Sequence, residues 1–348
     1  MTSTIRFQYG SFARLFLTAV WFATQGHLSA QPANLPEAER QRVEAAIPSR
    51  AVVAPRKARR LLIFDRNVNY GGHRSIPTAN LACTLMGRKT GAFETEISSD
   101  PGVFRPENLR RFDAVFFNNN VGNLFDDPAL RQSVADFIYG GGGMLGVHGT
   151  TVAFTKWPGA VEDWPEFGRM IGARGANHKA SDERVVIKLD DPDHPLNRVF
   201  NGAGFEYRDE FFRVQEPYSR NRLRVLFSID TGKTDMNQQP SYGSLVRPDD
   251  DYALAWVRNY GRGRTFYCTI AHNPSVFWDP QMLQFIWGPF SSLWVTSPLR
   301  LARAVDPCPA RPREARVAFG HRSLRSTNTP SSKRSKRRPS LDCHTWEA

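Results

Sequence analysis

Residues 140–151 read Gly140-Gly141-Gly142-Gly143-Met144-Leu145-Gly146-Val147-His148-Gly149-Thr150-Thr151, a glycine-rich approach, a short apolar run and a glycine-flanked exit. The run has the composition of a strand buried on both faces. A strand that ends in so sharp a turn resembles a nucleophile elbow, which lifts one side chain above the sheet at low steric cost. Here that side chain is His148. Histidine cannot replace the Ser or Cys that acyl transfer requires at the tip, so the stretch points to a general base or a metal ligand instead. A lone histidine in a glycine turn is also a common packing residue, and its neighbours must decide between the two.

Working outward, Leu61-Leu62-Ile63-Phe64 and Phe112-Asp113-Ala114-Val115-Phe116-Phe117 repeat the apolar pattern, with helical-length segments over roughly 75–89 and 127–139 between them. Strand-helix-strand alternation of this kind predicts right-handed crossovers and a parallel sheet covered on both faces. The ligand crevice of such a sheet lies beyond the carboxyl ends of its strands, at the loops that start near Asp65, Asn118 and His148. From Arg184 onward the texture changes to strands: Val185–Leu189, Val225–Ile229, Ala253–Val257 and Thr265–Ile270. The last two flank Asn259-Tyr260-Gly261-Arg262-Gly263 and predict a hairpin.

Four segments follow from composition. Residues 1–30 read as a signal peptide or N-terminal anchor, with Arg6 and Arg14 before the apolar run Leu15–Ala23 and Leu28-Ser29-Ala30 at a cleavage site. The run is too short for a stable membrane-spanning helix, and the expected location is the periplasm or outside the cell. Residues 31–58, with Pro32, Pro36, Pro48 and Pro55, read as a linker holding a helical turn or two. Residues 59–298 form the folded domain, and the Arg-, Pro- and Ser-rich residues 299–348 read as a basic disordered tail.

The formal net charge is +12. Nine Lys/Arg against three Glu in residues 1–60 and twelve against four acids in residues 299–348 place +6 and +8 at the ends, leaving −2 for the body. A neutral body argues against a specific nucleic-acid groove, which needs cations clustered on a folded face. Of the four cysteines only Cys83 and Cys268 lie in the body, too few for a disulfide framework.

His73, His148, His178 and His272 each fall in a Gly- or Asn-containing loop beside a predicted element end, where functional residues concentrate. His148, His73, Asp209 and Glu210 are the candidate catalytic residues, and His148, His178 and His272 the candidate metal ligands, with Asp209 or Glu210 as oxygen donor. Tyr207-Arg208-Asp209-Glu210-Phe211-Phe212 sets two carboxylates beside aromatic rings, as suits sugar hydroxyls and the apolar face of a sugar ring. Asn118 and Trp278 are candidate substrate contacts. His194, inside Asp190-Asp191-Pro192-Asp193-His194-Pro195, reads as part of an Asp/Pro turn. The residues leave three uses open: acid-base work, a bound divalent metal such as zinc, and sugar hydrogen bonding.

In order along the chain, Tyr70-Gly71-Gly72-His73-Arg74-Ser75, Gly143–Gly149, Gly172–His178, His194-Pro195 with Asp209-Glu210, and Ala255–Tyr267 through His272 together resemble the ThuA-like family, named for trehalose utilisation. Gly71-Gly72 departs from the aromatic-Arg pair expected before the histidine. The resemblance implies an α/β fold of the flavodoxin-like, class I glutamine-amidotransferase-like kind: a three-layer sandwich with a mainly parallel central sheet and an added C-terminal β hairpin. It also implies a role in disaccharide or keto-sugar catabolism, with a small sugar as the partner and no membrane span beyond an N-terminal anchor. His148 at the elbow excludes the glutamine amidotransferase reaction. Acid-base or metal-assisted processing of a glycoside is the leading expectation, and a non-catalytic sugar-binding module the alternative.

Overall fold

In β1 (Arg59–Phe64) Leu61 and Ile63 face one apolar cluster, while Leu62 and Phe64 face another. The alternation recurs in β3 (Ala114–Asn118), where Phe116 faces the first cluster and Phe117 the second, and in β4 (Gly143–Val147), where Leu145 and Met144 divide the same way. Strands that bury both faces are what the continuous apolar runs dictate. The structure is a computed structural model and describes residues 35–51, 59–156, 161–242 and 246–289. The expected signal (1–30) and basic tail (299–348) lie outside the described residues.

The remaining strands are β2 (Phe93–Ser98), β5 (Thr155–Lys156), β6 (Val161–Glu162), β7 (Arg174–Lys179), β8 (Glu183–Leu189), β9 (Phe205–Asp209), β10 (Arg213–Gln215), β11 (Arg224–Ile229), β12 (Ser241–Tyr242), β13 (Ala253–Tyr260) and β14 (Gly263–Cys268). Nine of the fourteen make one sheet in the order β2-β1-β3-β4-β14-β13-β11-β8-β9. From β2 to β14 every pairing is parallel, and from β14 to β9 every pairing is antiparallel. The expected mainly parallel sheet is therefore only half the answer.

The β13–β14 hairpin is not an addition at the edge either. It occupies the middle of the sheet, because β14 pairs in parallel with β4 on one side and antiparallel with β13 on the other. Its turn needs Gly261, which has φ +58° and no room for a Cβ against the Tyr139 ring, 2.5 Å away. A small second sheet, β10-β7-β12, carries His178 on its central strand, and β5 and β6 form a ribbon.

The helices are α1 (Glu37–Ala46), α2 (Ser75–Thr90), α3 (Pro106–Leu109), α4 (Pro128–Tyr139), α5 (Pro165–Ile171) and α6 (Pro280–Gly288). Within residues 31–58, Pro36 and Pro48 bound α1, the helical part the sequence allows for there, and Val43 and Ile47 enter the main core. α2 and α4 fall where the sequence predicts them. No helix among the described residues is long and apolar enough to cross a membrane.

Candidate functional site

The chain leaves β1 toward β2 on one side and returns to β3 on the other, so the strand order reverses at the carboxyl ends of β1 and β3. Crevices form at such reversals. Here β3 is followed at once by Asn119 at φ +56° and β4 by His148 at φ +39°, two non-glycine residues in the left-handed region, which favours glycine and Asn. Asn119 holds the crevice together. Its Oδ1 accepts from Gly149 N at 2.9 Å, and its Nδ2 donates to Ser75 Oγ at 3.0 Å and Ala271 O at 2.9 Å. One side chain thus ties the elbow, the start of α2 and the segment before His272. Gly149 lies against His73, where a Cβ would come within 3.0 Å of the imidazole Cε1.

The elbow does not expose its histidine as the sequence analogy suggests. His148 is fully buried, with Nδ1 3.0 Å from Thr269 O. A carbonyl oxygen only accepts, so Nδ1 carries a proton and Nε2 is the ring nitrogen turned to the crevice. The His73, His148 and His272 ligand atoms all lie within 4.8 Å of one another. The imidazole rings meet edge to face, 4.9 Å between His73 and His148 and 5.2 Å between His148 and His272.

Glu210 closes the group. Its Oε1 is 3.3 Å from His148 Nε2, and its Oε2 is 3.2 Å from His178 Nδ1 and 3.7 Å from His272 Nε2. Burial pushes the Glu210 carboxyl up, but the hydrogen bonds and charges of His148 and His178 outweigh it and hold the group well below the usual carboxylate range. Burial and the neighbouring His148 and His272 press His73 down to about 2, and burial with His148 lowers His272. His178 runs the other way. Burial lowers it, yet Glu210 and the Lys179 carbonyl raise it on balance. Its Nδ1 also donates to Lys179 O at 2.8 Å.

Asp209 is a brace rather than a pocket group. It is fully buried, and its carboxylate accepts from His272 N (3.0 Å), Asn273 N (2.9 Å) and Asn273 Nδ2 (2.8 Å). Burial lifts it to about 7 against those bonds and the charge of His148. The segment beyond Glu210 is pinned by a pair the sequence hides: Arg213 makes two 2.6 Å bonds to buried Glu183 and a third to Phe211 O at 3.0 Å. Phe212 N donates to Thr269 Oγ1 at 2.9 Å, so Thr269 links the elbow to the Glu210 segment.

The structure thus brings together His73, His148, His178, His272 and Glu210 as the sequence suggests, but divides their roles differently. The third imidazole within ligand distance is His73, not His178, which lies on the far side of Glu210. The oxygen donor facing the cluster is Glu210, because Asp209 is spent on backbone amides. Asn118 is fully buried and both its amide hydrogens go to α2, to Ile76 O and Asn80 Oδ1, which fixes it in the core rather than in the crevice. Trp278 packs against the main core with the Arg42 guanidinium of α1 over its ring, and serves to seat that helix. Cys83 and Cys268 are buried free thiols in the core. Sequence reasoning missed Asn119, one residue beyond Asn118, for which the Asn118-Asn119-Asn120 run at a strand end was the available signal.

A family model described as trehalose utilisation (ThuA) matches residues 60–291. Among solved structures, a ThuA-like protein from Bacteroides uniformis is 18% identical over 75% of this chain and 94% of its own, with TM-score 0.53. A second ThuA-like protein, from Parabacteroides merdae, is 17% identical over 68% of this chain and 90% of its own, with TM-score 0.47. No curated protein matches the sequence.

Proposed function

The chain belongs to the ThuA family, and from that premise we propose that it processes a carbohydrate at the His73–His148–His272–Glu210 cluster, by acid-base chemistry assisted by a divalent cation. The observation that carries the reading is that three imidazoles have ligand atoms within 4.8 Å of one another and a buried carboxylate, Glu210, stands against two of them, His148 and His272. His73 Nδ1 is buried with no hydrogen-bond partner among the described residues, His148 Nε2 meets only the Glu210 carboxylate at 3.3 Å, and a buried polar atom left unmatched is costly unless something occupies it. The donor set of three imidazoles and one carboxylate suits zinc. A cation held there supplies Lewis-acid polarisation of a sugar oxygen.

The chain's own groups do the rest. Thr269 O fixes the His148 ring, and Asp209 fixes the backbone that presents His272. His178 and Glu210 form a proton-holding pair, and the imidazole is the group to exchange a proton with a hydroxyl or carbonyl. The elbow residue is histidine, so glutamine amidotransfer is not part of the reading. Flavodoxin-like layering around the sheet and export by residues 1–30 to the periplasm or medium belong to the same reading. N-terminal sequencing of the mature protein tests the export.

The test is metal analysis of purified protein, followed by His148→Ala, checked as folded by circular dichroism. The variant is expected to lose cation binding and turnover of trehalose-like and 3-keto sugars. A protein that takes up no divalent cation, and whose turnover survives His148→Ala, sinks the reading.

A further inference from the structure

The parallel neighbours β1, β3, β4 and β14 carry the histidine crevice at their carboxyl ends. At their amino ends, the length of the five-residue β4 or roughly 17 Å away, lies a second cavity of about 470 Å³. Four arginines line it: Arg59 from the first position of β1, Arg110 from the end of α3, Arg262 from the β13–β14 turn and Arg264 from β14. They come from three separate stretches of the chain, so the fold alone brings them together.

The lining holds two acids against them, Asp113 and Asp136. Four guanidiniums against two carboxylates leave an excess of +2, in a body whose net charge is −2. Both acids also have work elsewhere. Asp113 Oδ2 accepts from Arg60 N at 2.9 Å, and Asp136 Oδ1 accepts from Gln132 Nε2 at 2.8 Å. Burial, and then the charge of Arg59 beside it, lower Arg264. Like charges held together in a partly desolvated place are costly, and an anion between them removes the cost.

The arginines are also held in place. Arg262 N donates to Tyr139 O at 2.9 Å, and a Cβ at Gly263 would fall 2.0 Å from Ile138 O, so the turn is seated directly on the end of α4. The carboxyl end of a helix repels anions through its carbonyls. Here the last four are taken up: those of Asp136, Phe137 and Ile138 accept from Gly140, Gly142 and Gly141 N, and that of Tyr139 from Arg262 N. The cavity falls within the roughly 300–1,000 Å³ of small-molecule sites, and Phe112 and Phe137 add apolar wall beside the charges.

We propose that this cavity binds the phosphate group of a small phosphorylated molecule, gripped by Arg59, Arg110, Arg262 and Arg264. Planar guanidinium forks match phosphate oxygens two at a time, and the aromatic wall meets whatever the phosphate carries. The site is separate from the histidine crevice and does not rest on the carbohydrate reading.

Titration calorimetry on the full chain tests it, with pyrophosphate as an inorganic probe and phenyl phosphate as an ester with an apolar remainder. Salt of about 150 mM, with a screening length of about 8 Å, suppresses attraction by net charge alone. Wild type is expected to bind one equivalent. Arg110→Gln and Arg262→Gln, both at exposed positions, are each expected to weaken binding tenfold or more, the scale of one charge-assisted hydrogen bond. Arg264→Gln should do the same, and the two exposed variants serve if it does not fold.

The double variant Arg334→Gln with Arg337→Gln removes charge from the basic C-terminal stretch instead, and is expected to leave the affinity unchanged. Tighter binding of phenyl phosphate than of pyrophosphate supports the site with an organic ester as its ligand, and the reverse order supports it with an inorganic one. Absence of saturable binding of both probes overturns the proposal. So does an affinity that survives the cavity variants, or that falls as far in the C-terminal variant as in them.

Discussion

His148 Nε2 and Glu210 Oε1 lie 3.3 Å apart in a crevice where the same carboxylate also faces His178 and His272. One negative charge thus answers three imidazoles, which cannot all be protonated at such close range in a desolvated site. The arrangement suits one shared proton or one cation. Glu210→Gln keeps the shape and removes the charge. It is expected to lower zinc affinity at least tenfold, the scale of losses at supporting residues of metal sites, with a matching loss of turnover. Calorimetric zinc titration checks it, and an unchanged affinity would show that Glu210 does not face the bound ion.

Asp209 acts through the backbone. It accepts three hydrogen bonds from His272 and Asn273 and is fully buried. Truncation leaves buried donors unmatched, so Asp209→Ala is expected to destabilise the fold by about 2–4 kcal/mol and to weaken zinc binding through displacement of His272. Asp209→Asn retains one acceptor and should recover part of both. Urea denaturation measures the first effect and zinc titration the second. Loss of turnover with stability and zinc affinity intact would instead mark Asp209 as a group in contact with substrate.

Much of this was legible in the sequence, for identifiable reasons. Leu61–Phe64, Met144–Val147 and the helical segments near 75–89 and 127–139 announce themselves because burial on two faces leaves an unbroken apolar run and a helix leaves its period. The hairpin was legible for its glycines. Its central position was not, because pairing of β14 with β4 is a long-range choice that leaves no local mark. The full length of α1 was hidden by Pro36 and Pro48, which signal loops and helix boundaries alike. His73 and His178 look equivalent as sequence, and Gly149, by admitting His73 beside the elbow, sets His73 against His148 while His178 lies across Glu210. Asn118 and Asn119 differ by one position along the strand exit, enough to send one into the core and the other onto the elbow.

Glu183 and Arg213 form a fully buried bidentate pair that anchors the segment after Glu210. Removing one member strands the other's charge, so Glu183→Ala or Arg213→Ala is expected to destabilise by about 3–5 kcal/mol. The double variant Glu183→Leu with Arg213→Met replaces the pair by apolar volume and should cost less than either single change. A thermodynamic cycle from urea melts reads the coupling, and singles that cost under 1 kcal/mol would show that the pair does not hold the segment.

His194 gives the fold a pH dependence of its own, remote from the cluster. The residue is fully buried, its Nδ1 accepts from Leu196 N at 3.2 Å, and the proton therefore sits on Nε2, which is buried without a partner among the described residues. Burial first, then the Arg224 charge, lower it to about 4, against a smaller opposing effect of Asp191. The unfolded chain binds this proton near the ordinary 6.5, so the unfolded state gains protons first as pH falls. The stability that neutral His194 preserves is complete above pH 6.5 and is lost between pH 6.5 and about 4, by at most about 3 kcal/mol at 1.36 kcal/mol per unit. His194→Leu removes the titration. His73, lowered still further, titrates in wild type and variant alike and cancels in the comparison. Urea midpoints measured from pH 7.5 to 4.5 should fall more steeply for wild type than for His194→Leu, with the gap opening below pH 6.5. Parallel profiles would mean that His194 takes up its proton as easily in the folded chain as in the unfolded one.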